Sequence, residues 1–251
     1  MADTILLGLD VGGSSIKAGL VDTGRGSLTT PLLSVPTPAP STPEAVLQAC
    51  ARIDSELGGA GPVGLAFPSV VQGGIARTAA NVDKSWIGFA GGKRLSQLIG
   101  RPVMFLNDAD AAGVAEMSSG GAGKDAQGVV MLLTFGTGIG SALFVDGELV
   151  PNTEFGHLEF HGRDAELSAS ARVRTEERLD WASWCARVND YLARLHALFW
   201  PDVFIIGGAL SENWQQFQHL LESRAEIRRA AHGGQAGVIG AAFAAAGLEQ
   251  H

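Results

Sequence analysis

The sequence predicts an α/β protein built from two related halves. Short apolar runs at residues 5–11, 63–67, 103–106 and 203–206 read as buried strands. Helical stripes alternate with them, as in Val46, Cys50, Ile53 and Leu57. A strand–Gly turn–strand hairpin also occurs twice. Asp10 to Asp22 aligns without a gap on Thr134 to Asp146, with Gly12/Gly136, Ala18/Ala142, Val21/Val145 and Asp22/Asp146 coinciding. Self-similarity at about half the chain length suggests two α/β units, each opening on such a hairpin.

The 251 residues, 46% hydrophobic, supply a core for one large domain or two of ordinary size. A net charge of −8 argues against a general nucleic-acid surface, so a polyanion would need a local basic site. Cys50 and Cys185 lie in helical patterns with no second ligand at metal spacing, and read as buried reduced thiols. The N-terminus carries Asp3 and no basic run before its short apolar stretch, so no secretory leader is expected. No apolar run reaches the ~18 residues of a membrane helix. The expectation is a soluble, cytoplasmic protein without a membrane or nucleic-acid partner.

The first hairpin joins strands at residues 5–11 and 16–21 through Gly12, Gly13, Ser14 and Ser15. It is not a Walker loop, because no helix follows the glycines. Its N–H groups, with Ser14 and Lys17, suit a phosphate, as they also suit a plain turn. Residues 35–43 are Pro-rich and extended, and Ser41 or Thr42 caps a helix with Pro43 in its first turn. Residues 58–62 break that helix, and Pro68 ends the strand 63–67. Residues 73–78 suggest another strand. Ala79 to Trp86 then reads A-A-N-V-D-K-S-W. Asn and Asp can bond sugar hydroxyls and Trp can stack, or the stretch is an ordinary turn with a half-buried Trp.

A short helix at 93–99 and a turn at 100–102 lead to V-M-F-L-N-D-A-D-A-A-G. Asn107 and Asp108 end a strand and open an Ala-rich helix, where open α/β sheets hold their ligands. Asp108 is the candidate general base. The alternative is that Asn107 or Asp108 only caps the helix. Residues 118–128 read as a Gly-rich surface loop. After the second hairpin, Glu154, His157 and Glu159 crowd one segment. Their spacing is not that of a helical zinc motif, and polyol recognition or a solvated loop fits as well. Residues 166–174 form a short helix. A longer one, near 183–200, buries Trp184, Val188, Tyr191, Leu192, Leu195 and Leu198, and Pro201 stops it. The strand 203–206 runs into Gly207-Gly208, a signal of close backbone approach. A last helix is expected at 236–246.

Taken in order, L-G-L-D-V-G-G-S-S-I-K, N-V-D-K-S-W, L-N-D-A-D-A-A-G, L-T-F-G-T-G-I-G-S-A, E-F-G-H-L-E and F-I-I-G-G resemble the sugar kinases of the ROK family, within the actin–hexokinase superfamily. The wording of A-A-N-V-D-K-S-W and L-V-P-N-T-E-F-G-H-L-E is similar to a subgroup that uses inorganic polyphosphate. The resemblance implies an α/β fold of two RNase-H-like domains flanking a catalytic cleft. The first domain would be 1–108, completed by the helix at about 236–251, and the second 109–235. It implies a phosphotransferase acting on the 6-hydroxyl of glucose, or of mannose, with polyphosphate or ATP as donor. Asp108 matches the base that takes the hydroxyl proton, and Asn81, Asn107, Glu154, His157 and Glu166 match sugar ligands. Gly12, Gly13, Ser14, Lys17, Thr134, Gly136, Thr137 and Gly138 match the phosphate turns. Gly207 and Gly208 match the donor region, and Asp10 the acid near Mg2+.

The cysteine-rich zinc segment of many relatives is absent, so no zinc is expected. Nor is the N-terminal DNA-binding domain of the family's repressors. A homodimer is the family expectation. The rivals are a strictly ATP-dependent ROK hexokinase and a non-catalytic sugar sensor. Basic residues fall in three groups: Arg77, Lys84, Lys93, Arg94 and Lys124; Arg172, Arg174 and Arg178; and Arg224, Arg228 and Arg229. A subset of them is expected to guide polyphosphate, the rest being solvated helix faces.

Overall fold

The computed structural model of the chain describes residues 5–122 and 127–250, the last two by backbone alone, so Lys124 lies outside the described residues. No helix among them is long and apolar enough to cross a membrane. The chain forms two compact units, Met1–Ser119 with Gln235–His251, and Gly120–Gly234.

In the first unit β1 (Ile5–Val11) pairs antiparallel with β2 (Ser15–Asp22). Two short strands, β3 (Ser27–Leu28) and β4 (Leu33–Pro36), extend β2. On its other side β1 runs parallel to β5 (Val63–Phe67). Strands β6 (Val71–Gln72) and β7 (Ile75–Ala76) form a separate small hairpin, and β8 (Val103–Asn107) completes the main sheet beside β5. Helix α1 (Pro43–Leu57) starts where Thr42 accepts from the Ala45 N–H at 3.4 Å. Helix α2 is Gly91–Ile99 and α3 is Asp108–Ser119.

Strand alternation sorts the two faces of this sheet. Leu7, Leu9, Val63, Leu65 and Phe67 share a core with Val46, Leu47 and Cys50 of α1 and Leu95 of α2. Gly8, Gly64 and Ala66 face the C-terminal helix, Ala236–Ala246. A Cβ on Gly8 or Gly64 would lie 1.9 Å from the Val238 or Ala241 carbonyl oxygen, so that helix rests on bare backbone. Gly240 approaches α3 in the same way, since a Cβ added there would meet the Ala111 oxygen at 1.6 Å. This packing corrects the expected domain boundary at residue 108. Helix α3 stays with the first unit, because its small face is sealed by the C-terminal helix.

The second unit repeats the plan. Strands β9 (Val129–Phe135) and β10 (Ile139–Val145) form an antiparallel hairpin, extended by β11 (Glu148–Val150). A two-stranded hairpin follows, β12 (Glu159–Phe160) and β13 (Arg163–Asp164). Strands β14 (Val203–Gly207) and β15 (Glu226–Arg229) then run parallel to β9 in the order β11-β10-β9-β14-β15. The expected helix at 166–174 is two, α4 (Glu166–Ala169) and α5 (Ala171–Glu176), because Ser170 leaves helical geometry to cap α5. Helix α6 (Trp181–Phe199) begins at the Asp180 cap, and α7 (Trp214–Phe217) is short. Trp184, Val188, Tyr191, Leu192 and Leu195 of α6 pack on Met131, Leu133 and Phe135. Leu198, expected in that stripe, is exposed.

The two hairpins align on their first strands only. Leu9 pairs with Ala18, but its counterpart Leu133 pairs with Ser141 and not Ala142. The second turn is one residue shorter, so Asp22 and Asp146 do not hold equivalent places.

Candidate active site

In the first unit the β1–β2 turn is held from within and by the residue that follows β4. The Gly12 N–H donates to the Ser15 carbonyl at 2.8 Å, and the Thr37 hydroxyl donates to the Gly12 carbonyl at 2.7 Å. Gly13 and Ser14 stand exposed. A Cβ on Gly13 would lie 3.1 Å from the Asn81 carbonyl oxygen, so Asn81 abuts the turn. Asp10 lies opposite Lys17 in the hairpin register. Burial raises the Asp10 carboxyl above the usual range, and Lys17 partly offsets this. Gly237 lets the first turn of the C-terminal helix close on Asp10, since a Cβ there would meet its carboxyl carbon at 2.6 Å.

Asn107 and Asp108 divide the strand end between them. Buried Asn107 is the cap of α3: its Oδ1 accepts from Ala109 at 2.8 Å and Asp110 at 3.0 Å. Its Nδ2 donates to the Ser69 carbonyl at 3.1 Å. That bond uses one of its two amide hydrogens. Asp108 is half-buried, and its Oδ1 accepts from the Ala109 N–H at 2.9 Å.

The 79–86 stretch is mostly scaffold. Asp83 caps the turn Lys84–Trp86, and its bonds from Ser85 hold its carboxyl below the usual range. Trp86 is fully buried: its ring lies 4.1 Å from Phe67 and its Nε1 donates to the Ser41 carbonyl. It is a core residue, not a sugar-stacking face. Lys84 donates to the Ala79 carbonyl. Asn81 is exposed.

In the second unit the β9–β10 turn gathers several expected residues. The Gly136 N–H donates to the Gly138 carbonyl at 3.0 Å, and the Arg172 N–H donates to the Gly136 carbonyl at 3.1 Å. A Cβ on Gly136 would meet nothing within 4 Å, so protein packing does not demand glycine there. Thr134 pairs with Gly207, and Thr137 is exposed. Gly208 has a φ of 83°, and its added Cβ would sit 2.5 Å from the Phe135 nitrogen and oxygen. Glu166 is seated on the same turn, its Oε2 accepting from the Ile139 N–H at 3.2 Å.

Glu154 and His157 follow. The buried Ser141 hydroxyl donates to the Thr153 carbonyl at 2.7 Å and accepts from the Phe155 N–H at 3.0 Å, clamping both neighbours of Glu154. His157 Nδ1 lies 2.9 Å from Asp164 Oδ2, and its Nε2 lies 3.9 Å from Glu154 Oε2. The Asp164 hydrogen bond raises the His157 pKa; burial lowers it, and Glu166 and Glu154 add to the rise. Burial raises the Glu154 carboxyl, with His157 opposing and Glu166 adding. Asp164 escaped the sequence reading, since nothing periodic marks it. Glu159 is exposed and pairs in the β12–β13 hairpin. Among the described residues no group of three or more His, Cys, Asp or Glu is placed to hold a metal ion.

The basic groups differ in their surroundings. Arg172 is exposed beside the β9–β10 turn, whereas Arg174 stacks on Trp181 at 3.5 Å from the ring centre. Arg228 is paired with Glu226 at 2.8 Å and donates to the Ala122 carbonyl at 3.0 Å. Arg77, Lys93, Arg94, Arg178, Arg224 and Arg229 are exposed.

The ROK family profile matches residues 6–169. The chain is 45% identical over 245 residues to the polyphosphate glucokinase of Mycobacterium tuberculosis (strain CDC 1551 / Oshkosh), covering 97% of this chain and 92% of that protein. The crystal structure of an inorganic polyphosphate/ATP-glucomannokinase from Arthrobacter sp. strain KM superposes with a TM-score of 0.91 at 43% identity, covering 99% of this chain and 100% of that one. A ROK family glucokinase from Streptomyces griseus, solved with glucose and AMPPNP, shares the fold with a TM-score of 0.80 at 24% identity, over 95% and 98% of the two chains.

Proposed function

The chain belongs to the ROK family, and we propose that it is a phosphotransferase making glucose 6-phosphate from glucose and inorganic polyphosphate. ATP is a second donor and mannose a second sugar, in keeping with the Arthrobacter relative's description. The observation that carries this is the 45% identity to a polyphosphate glucokinase along 97% of the chain.

Phosphoryl transfer asks a protein mainly for positioning and charge neutralisation. Asp108 directly follows the end of a parallel strand, where α/β sheets place reacting groups, and it takes the proton of the attacking 6-hydroxyl. Asn107 carries the capping work and gives its remaining amide hydrogen to the sugar. Glu154, His157 and Glu166 accept from or donate to the other hydroxyls, with Asn81 adding an exposed amide. The N–H groups of the 12–14 and 136–138 turns receive donor phosphates, and the open space over Gly136 leaves room for them. Lys17 adds a cationic partner. Gly207 and Gly208 hold the backbone close to Thr134 and Phe135, at the edge of the donor turn. Magnesium supplies positive charge against the phosphoryl group when bound, and the Asp10 carboxylate would hold it. A single protein carboxylate suits that ion, which takes its other ligands from phosphate and water. A homodimer is proposed on the family resemblance, and light scattering tests it.

A coupled assay of glucose 6-phosphate formation tests the reading, with polyphosphate and ATP as donors and glucose and mannose as acceptors. Polyphosphate should serve, and better than ATP. Turnover with ATP alone at every polyphosphate chain length would replace it with an ATP-dependent ROK hexokinase.

A further inference from the structure

We propose that Asp164 is a positioning residue for sugar recognition, holding the His157 ring by Nδ1 so that Nε2 is the atom offered to a sugar hydroxyl. This rests on the sugar-binding reading of Glu154 and His157 given above.

The backbone around His157 is well fixed, but its ring is not fixed by packing. His157 closes the single turn Phe155–His157, with the Leu158 N–H donating to the Phe155 carbonyl at 3.1 Å. Its side chain is 54% exposed. Its 3.9 Å approach to Glu154 is too long for a hydrogen bond. Asp164 Oδ2, at 2.9 Å, is therefore what sets the ring's rotation.

Asp164 is itself held rigidly. Strands β12 and β13 join through two residues, His161 (φ 54°) and Gly162 (φ 76°). Positive φ at both central positions is the mark of the tight hairpin turn that locks register. Glu159 is thereby set opposite Asp164. The Ala165 N–H donates to the Leu158 carbonyl at 3.0 Å, tying the far end of the hairpin to the residue after His157. Arg163 Nε donates to the Ser168 hydroxyl at 2.9 Å and pins the hairpin to α4. Asp164 and His157 thus sit on two segments that cannot slide past each other.

A carboxylate on Nδ1 selects the Nδ1–H tautomer. Nε2 is then an acceptor when the ring is neutral and a donor when it is protonated. The charged groups facing the ring, Asp164, Glu154 and Glu166, are all acids. A ring held this way presents one defined atom to the sugar. Without Asp164 it would turn, and its two tautomers would mix.

The test uses the full chain with Asp164→Ala and Asp164→Asn. Nitrogen-15 NMR of the histidines needs no substrate, and His157→Gln identifies the His157 signals. The wild type should show the Nδ1–H tautomer and titrate above ordinary histidine. Asp164→Ala should lose both features and raise the glucose KM about tenfold, the effect of losing a charge-assisted hydrogen bond. Its polyphosphate KM should stay within about twofold. Asp164→Asn keeps an acceptor for Nδ1–H, so its glucose KM should stay near wild type while the His157 titration falls toward the ordinary value. An Nε2–H tautomer in the wild type, or an unchanged His157 titration in Asp164→Ala, would overturn the proposal. So would an unchanged glucose KM in Asp164→Ala, or an equal rise in both variants. If the wild type does not phosphorylate glucose, the sugar reading fails, while the NMR measurement still decides whether Asp164 holds His157.

Discussion

Asn107 commits three of its four hydrogen bonds to the protein and shares the Ala109 N–H with Asp108 Oδ1, so Asn107 does most of the capping of α3. Asp108→Asn should therefore lower turnover by ~10²–10⁴ while the glucose KM stays within about tenfold, because only the proton acceptor is lost. Steady-state kinetics with saturating polyphosphate check this, and near-normal turnover would remove Asp108 from the base role. His157 makes a second prediction, on stability. Its folded pKa is raised by the Asp164 hydrogen bond. The pair therefore favours the folded state fully below the ordinary histidine pKa, and that benefit fades as pH rises through the raised folded value. Half-exposure of the ring keeps the effect modest. Thermal melts of wild type and His157→Gln should converge at alkaline pH and separate at mildly acidic pH; parallel curves would contradict the pairing.

The glycines of two elements have opposite meanings. Gly64 in β5 faces backbone, with its added Cβ 1.9 Å from the Ala241 oxygen and 2.1 Å from its carbonyl carbon. A backbone neighbour cannot move aside, so Gly64→Ala should cost at least the ~1–3 kcal/mol of an overpacked core and shift the urea midpoint down. Gly136, in the β9–β10 turn, faces open space. Gly136→Ala should fold with a melting temperature within a few degrees of wild type. Its donor KM should nevertheless rise about tenfold or more, because a methyl group would intrude on the bound phosphate. Paired melts and donor titrations separate the two cases, and an unimpaired donor KM in Gly136→Ala would refute the phosphate role of that turn.

Across the whole molecule a net charge of −8 opposes any polyanion, so polyphosphate must find local positive charge. Arg172 is best placed for this. Its side chain is exposed, and its N–H is bonded to the Gly136 carbonyl in the β9–β10 turn. Arg172→Glu should raise the polyphosphate KM severalfold without changing the glucose KM. Raising salt from about 0.05 to 0.2 M should weaken polyphosphate use more steeply than ATP use, since many screened contacts are lost from the longer anion. Equal salt slopes for the two donors would argue against an electrostatic track.

The sequence by itself determined what depends on neighbours along the chain. Short apolar runs and helical stripes marked the main strands and helices, and turn glycines marked both hairpins at 12–15 and 136–138. The Asn107-Asp108 strand end and the Glu154/His157 segment stood out by their chemistry. Tertiary structure decided what depends on partners distant in the chain. Trp86 offers the same amphipathic ring to a sugar or to a core, and only its bond to Ser41 and its contact with Phe67 settle it as core. Arg174 becomes a structural stack only because α6 brings Trp181 beneath it. Strand β15, E-I-R-R, reads as a basic cluster because a charged edge strand lacks an apolar run. Helix α3 joined the first unit because Gly240 of the C-terminal helix meets Ala111 without a side chain between them. Asp164 was invisible for the same reason: its partner His157 is set by hairpin geometry, and no local periodicity records it.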